Sequence, residues 1–344
     1  MNKQIYRLVF SRHLGMPVPV SEGVRSQAKQ SGSNRLRRLL AGFLLLLAVP
    51  AGADQPAGLV PHATRAWSNA TIDAARTNPN QMTIRQNAAK AILNWQTLNL
   101  DRGQILNFDQ QGNRNWSALN RIFDADPSRI MGTVNAPGHI YFVNQNGIIF
   151  GDGAQINVGS LTATSLDDRL NDDILNRFSA GLLSYPSTAA FSGLSGFVRV
   201  ESGATITAAT GGRVMLLAPS VENAGLINTP EGQTILAAGQ KVYLLDTTDP
   251  AGLLVEVDSG GTATNLGQII SERGNTTLVG LAVNQQGRIS ATTSVRANGS
   301  IHLLARDSVR VDQANGEVVA LTPRRYGKVN IGEGSSTLVT AEVG

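Results

Sequence analysis

Two groups of carboxylates are the side chains of this 344-residue chain best spaced to hold a cation or to share acid and base roles. They are Asp167, Asp168, Asp172 and Asp173, and then Asp246, Asp249, Glu256 and Asp258. A calcium loop needs oxygen ligands at alternate positions and a glycine where the backbone bends. The first group, in SLDDRLNDDILNRF, has neither and reads as the solvated face of a helix. Cleavage of a sugar polymer needs carboxyl groups clustered on one face, often beside a basic residue or a metal. The second group is scattered among Thr, Pro and Gly and reads as a solvated loop between coils. His13, His62, His139 and His302 lack the spacing of metal ligands, and there is no cysteine to act as nucleophile or ligand. The expectation is a chain with no catalytic residues, no metal and no cofactor, with a polysaccharide-active enzyme as the alternative from another class. Trp67, Trp95 and Trp116 are expected in a core or cap rather than as sugar platforms.

The elements available to position any such group are short. In VNQNGIIFGDGAQINVGSL, residues 143–161, the apolar runs Ile148 to Phe150 and Ile156 to Val158 are separated by Asn146-Gly147 and Gly151-Asp152-Gly153. Such pairs supply the positive φ of tight turns, so the stretch reads as strand, turn, strand, turn. One segment breaks the rhythm. Residues 165–183 place Leu166, Leu170, Ile174 and Phe178 four apart, with Ser165 as N-cap and Asp167 and Asp168 in the first turn. That is the pattern of a short amphipathic helix packed outside the β structure.

From Phe197 onward the chain repeats. Gly-x-Ile recurs at Gly225-Leu226-Ile227, Gly267-Gln268-Ile269 and Gly287-Arg288-Ile289, each followed by a polar turn and a second apolar group such as Thr234-Ile235-Leu236-Ala237-Ala238. Ile206 to Ile227 is 21 residues, Ile227 to Ile269 is 42 and counts as two units, and Ile269 to Ile289 is 20. A fixed period of this size marks a solenoid, and the leucine-rich signature is absent. The expected fold is all-β: a right-handed parallel β-helix of roughly 20-residue coils, with an N-terminal cap and a short α segment outside the coil. On the order of a dozen coils would make a rod about 60 Å long.

The formal charge of +4 suggests a nucleic-acid partner until it is located. Residues 1–53 hold eight of the 29 basic residues and one acid, leaving 21 basic against 24 acidic groups, a net of −3, for the rest. The excess belongs to an export signal: a basic region, an apolar run from Leu39 to Val49, Pro50, and Ala51-Gly52-Ala53 in small-x-small form. The run is too short to span a bilayer, and cleavage is expected between Ala53 and Asp54. The lack of cysteine fits a chain kept unfolded on its way out. The expected organisation is a cleaved signal at 1–53, a secretion domain with its cap and first coils at 54–200, and continuing coils at 201–344, a truncated or naturally short form of a longer rod.

Two resemblances follow from the residues. MNKQIYRLVFSRHLGMPVPVSEG resembles the extended signal peptide region of large autotransporters and of two-partner secretion exoproteins, which implies a Gram-negative-type envelope and the Sec route. From about Thr83 to Ser165, AKAILNWQTLNL and ALNRIFDADPSRIMGTVNAPGHIYFVNQNGIIFGDGAQINVGSLTATS are similar to the amino-terminal secretion domain of the filamentous haemagglutinin family. The resemblance implies recognition in the periplasm by the POTRA domains of a cognate outer-membrane barrel, then folding at the cell surface. The family's Asn-Pro-Asn-Gly signature falls on Asn144, Gln145, Asn146 and Gly147, with Gln in place of Pro, and Asn78-Pro79-Asn80 is similar to a second, less specific element. Some relatives bind haem or haemoproteins and others are adhesins for host or bacterial surfaces, so both stand as alternatives for the final target.

Overall fold

The computed structural model describes residues 6–11, 16–21, 56–74, 78–167, 173–180, 191–246, 253–294, 298–314 and 317–342. The chain divides into two compact units, Met1–Pro50 and Ala51–Gly344. In the first, the strands Tyr6–Ser11 and Met16–Ser21 pair antiparallel. The apolar run 39–49 and the expected cleavage site at Ala51, Ala53 and Asp54 lie outside the described residues.

The second unit is a parallel β-solenoid with three faces. The first face is visited nine times among the described residues, and one inward ladder on it runs Met82, Leu106, Val134, Ile156, Ile206, Ile227, Ile269, Ile289 and Thr337, each in parallel register with the next. The eight apolar members are fully buried, and each contributes about 1.5–3 kcal/mol by leaving water. Inward and outward positions alternate on the second face too, where Leu216, Leu236 and Leu278 stack inside while Met215, Ile235 and Thr277 point out. The third face carries the short strands from Ser128–Ile130 to Lys328–Ile331. Hydrogen bonding from coil to coil links the strands of the first two faces into one continuous set, the wall of a solenoid and not a barrel of tilted strands. Leu59–Pro61 and Ala70–Ile72 lie antiparallel on the first coil and cap its open edge, which removes an aggregation-prone strand edge.

Two expectations about the coil need correction. Ile227 pairs directly with Ile269, so the 42 residues between them are one coil and not two. The surplus is a hairpin in which the second half of Gln233–Asp246 pairs antiparallel with Leu253–Gly260. Its loop end is pinned back onto the start of the same strand by Gln233, whose side chain donates to Leu253 O and accepts from Leu253 N, both at 3.0 Å. The nine coils among the described residues are fewer than the dozen expected and, spaced about 4.8 Å apart, give a rod of about 40 Å.

The excursions share one corner. The segment holding the helix Asp173–Ala180, the hairpin after Gln233 and the hairpin of Ser308–Ala314 with Glu317–Arg325 all leave between the second and third faces. The helix and the first hairpin help bury the outward side of the second face. Ile174, Phe178, Val242, Val255 and Val257 form a second core with Tyr141, Val143, Leu217 and Ile235, separate from the solenoid interior. Residues 165–167 are not helical, and the Ser165 hydroxyl, expected as the N-cap, donates to Ser195 O at 3.0 Å. Asp167 is not on a solvated face either. It is buried, paired with Arg121 at 3.4 Å, while Asp168 and Asp172 lie outside the described residues.

Candidate functional site

Asn144–Gly147 forms the tight version of that same corner, joining the second-face half of Thr133–Val143 to Ile148–Phe150 on the third. Gly147 N donates to Asn144 O at 2.9 Å, closing a four-residue turn, and Asn146 N donates to Asn144 Oδ1 at 3.0 Å. Gly147 takes φ +121°, but Asn146 is not among the residues with positive φ. The positive φ expected of the pair is thus supplied by Gly147 alone, and Gln145 and Asn146 are the two central residues of a turn of type I character, with Asn first and Gly fourth, as that type favours.

The turn is bolted to its surroundings. Asn144 is fully buried and donates to Asp126 O at 3.1 Å and Ser128 Oγ at 3.0 Å. Asn146, half-buried, donates to Asp124 O at 2.7 Å. Gly147 O accepts from Ser128 N at 3.0 Å, and a Cβ on Gly147 would stand 3.1 Å from Phe197. Sequence reading missed Asp124, Asp126, Ser128 and Phe197. Only the coil register brings the first three to this corner, and no local signal marks them.

Asn78-Pro79-Asn80 repeats the geometry elsewhere. Asn80 N donates to Asn78 Oδ1 at 2.9 Å and Gln81 N to Asn78 O at 3.1 Å, as the chain enters the first strand of the first face. These three residues are exposed, whereas Asn144 is not. Proline holds the position that Gln145 fills in the other turn. Because Pro pre-sets the φ needed there, Gln145→Pro is expected to stabilise the folded protein by about 0.4–1 kcal/mol, read from urea denaturation.

The other sequence candidates pack or pair within the fold where they are described. Glu256 is not in a solvated loop: it is buried on the hairpin, 3.6 Å from Arg306, and burial raises its pKa while Arg306 opposes the shift. Asp258 pairs with Lys241 at 3.5 Å, the side chain of Asp246 and all of Asp249 lie outside the described residues, and no cluster of metal-ligating residues occurs among those described. Trp95 is buried and donates to Asn120 Oδ1, Trp67 packs against it with its ring tilted by 56° and centroids 4.7 Å apart, and Trp116 is half-buried. His62 meets Phe123 edge-on, and His302 contacts Ser300 Oγ at 3.0 Å.

His139 stacks on Tyr141 with centroids 4.0 Å apart, and its Nε2 lies 2.9 Å from Thr162 Oγ1. Burial, helped by Arg213, lowers its pKa from 6.5 to about 3. Between those values the unfolded chain binds a proton that the folded chain refuses, so stability falls as pH drops from 6.5 toward 3. His139→Gln is expected to flatten the slope of unfolding free energy between pH 6.5 and about 5, above the range of ordinary carboxylates.

A cysteine-free solenoid preceded by a basic, apolar leader is the architecture of an exported β-helical domain. The chain belongs to the TPS secretion domain family, whose model matches residues 59–320, and residues 1–51 match the extended signal peptide of type V secretion systems. The protein is thus exported through Sec and secreted from a Gram-negative bacterium, the family is a secretion domain and not a catalytic one, and membership implies a cognate outer-membrane transporter. Two heme/hemopexin-binding proteins of Haemophilus influenzae are 34% identical over 104 and 95 residues, 30% and 27% of this chain. Those stretches are only 11% and 10% of these relatives' own lengths. The HMW1 secretion domain of the same species shares the fold, with a TM-score of 0.58 and 24% identity over 73% of this chain and 64% of that one.

Proposed function

We propose that the Asn144–Gly147 turn is the element that the POTRA domains of the outer-membrane transporter read before the chain folds, with the determinants of recognition in residues 54–200. The observation that supports this is locality. The bonds Asn146 N to Asn144 Oδ1 and Gly147 N to Asn144 O lie within four residues, so an unfolded chain can form the turn without any coil around it. Asn78-Pro79-Asn80 forms the same turn from equally local bonds and acts as a second, lesser signal. Flanking strand-forming residues then add to a sheet edge of the transporter. Because each coil contacts only its neighbours, folding outside the cell propagates coil by coil and helps draw the chain through.

The test separates recognition from stability. Asn146→Ala keeps both local backbone bonds and loses one side-chain donation to Asp124 O, so the folded rod is expected to lose only about 1 kcal/mol while secretion into the medium drops severalfold. A larger fall in melting temperature than in secretion would reduce the turn to scaffold. Adhesion to a host or bacterial receptor, or the haem-related binding named for the relatives, belongs in this reading to whatever surface the secreted protein presents. The described histidines do not favour haem ligation, since His62, His139 and His302 each have a local partner.

A further inference from the structure

Asn146-Gly147 carries a chemistry that its place in the fold does not use. Where glycine follows asparagine in a flexible chain, the glycine nitrogen can approach the asparagine side-chain carbon, because no Cβ stands in the way. That nitrogen gives its proton to a base and bonds to Cγ; the Cγ–Nδ2 bond breaks, and ammonia leaves carrying a proton. Water then opens the five-membered succinimide at either carbonyl, leaving aspartate or an isoaspartyl link. No oxidant, metal or cofactor enters.

In the folded corner both reacting groups are engaged by other partners. The Gly147 N–H is engaged with Asn144 O at 2.9 Å, and the Asn146 amide is held by Asp124 O at 2.7 Å. Gly147 itself is packed against Phe197. We propose that Asn146 is a self-modifying site whose lability is switched off by folding. An aspartate there has no donor for Asp124 O and sets a carboxylate against that carbonyl, and the isoaspartyl link adds a backbone atom inside a closed turn. In a chain that lingers unfolded during export, the isoaspartyl link distorts the turn itself and the aspartate weakens its anchoring to Asp124 O, which limits the time for which the chain stays competent. This does not depend on how the transporter reads the turn.

Asn298-Gly299 supplies an internal contrast. Asn298 is exposed, and its side-chain oxygen accepts from Thr293 Oγ1 at 3.1 Å. Peptide mapping by mass spectrometry of the full mature chain, held in mildly alkaline buffer with and without urea, compares the two pairs. In urea both are expected to lose ammonia at similar rates, faster than Asn157, which precedes valine. In native buffer Asn298 continues to react while Asn146 slows by at least roughly tenfold, the protection being set by the free energy of opening the corner. Equal native rates at 146 and 298, or a rate at 146 in urea no faster than at Asn157, would overturn the proposal. As a second readout, Asn146→Asp is expected to lower the melting temperature more than Asn298→Asp, and equal shifts would count against it.

Discussion

Asp167→Ala is expected to lower the unfolding free energy by about 3–5 kcal/mol, because it leaves a buried guanidinium without its carboxylate. The pair sits where the outward side of the second face meets the second core, with side-chain exposures of 1% for Arg121 and 3% for Asp167. Arg121 is in register with Val143 on the next coil and faces the Phe123 ring at 5.3 Å. A substitution on either partner therefore leaves the other's charge buried beside Phe123 and Val143. Replacing both with leucine is expected to restore most of the loss, because a buried pair exchanged for apolar groups of similar volume is often neutral or better. Urea denaturation of the two single variants and the double variant measures the coupling. A small loss for Asp167→Ala would mean that the corner opens to water easily enough to solvate Arg121.

The same residue shows where sequence reading reaches its limit. Inward ladders are legible because alternation has a period of two and coils repeat about every 20 residues, so Ile206, Ile227, Ile269 and Ile289 announce their face unaided. The arithmetic between Ile227 and Ile269 misleads because the hairpin excursion is about as long as a coil, and spacing alone cannot tell an insertion from another turn of the rod. Asp167 and Glu256 mislead for a related reason. Each lies on or beside an excursion that folds back over the second face, and their burial depends on Arg121 and Arg306, which are 46 and 50 residues away in sequence. The Asn144–Gly147 turn is legible because its bonds are local. Its anchors at Asp124, Asp126 and Ser128 are not, since only the stacking of one coil on the next brings them there.

Those anchors make Asn144→Ala the more damaging change at the corner. The fully buried Asn144 amide satisfies Asn146 N, Asp126 O and Ser128 Oγ together. Alanine removes all three bonds, and each buried group left without a partner costs about 1–3 kcal/mol. Water reaches the half-buried Asn146 side and offsets part of this, so the expected loss is about 2–4 kcal/mol, again from urea denaturation. Asn144→Asp tests the cause: it keeps the acceptor for Asn146 N but sets a carboxylate against Asp126 O, so it should be no more stable than alanine. The contrast with Asn146→Ala then separates the two functions of the turn. Asn144→Ala removes the side-chain bond that forms the turn locally as well as those that anchor it, so stability and secretion should fall together. Asn146→Ala leaves the local bonds in place and removes only the side chain that the proposed reading presents to the transporter, so secretion should fall with little change in stability. If Asn144→Ala is as stable as the natural chain, the corner is a passive loop, and the reading of the turn as a preformed signal loses its structural basis.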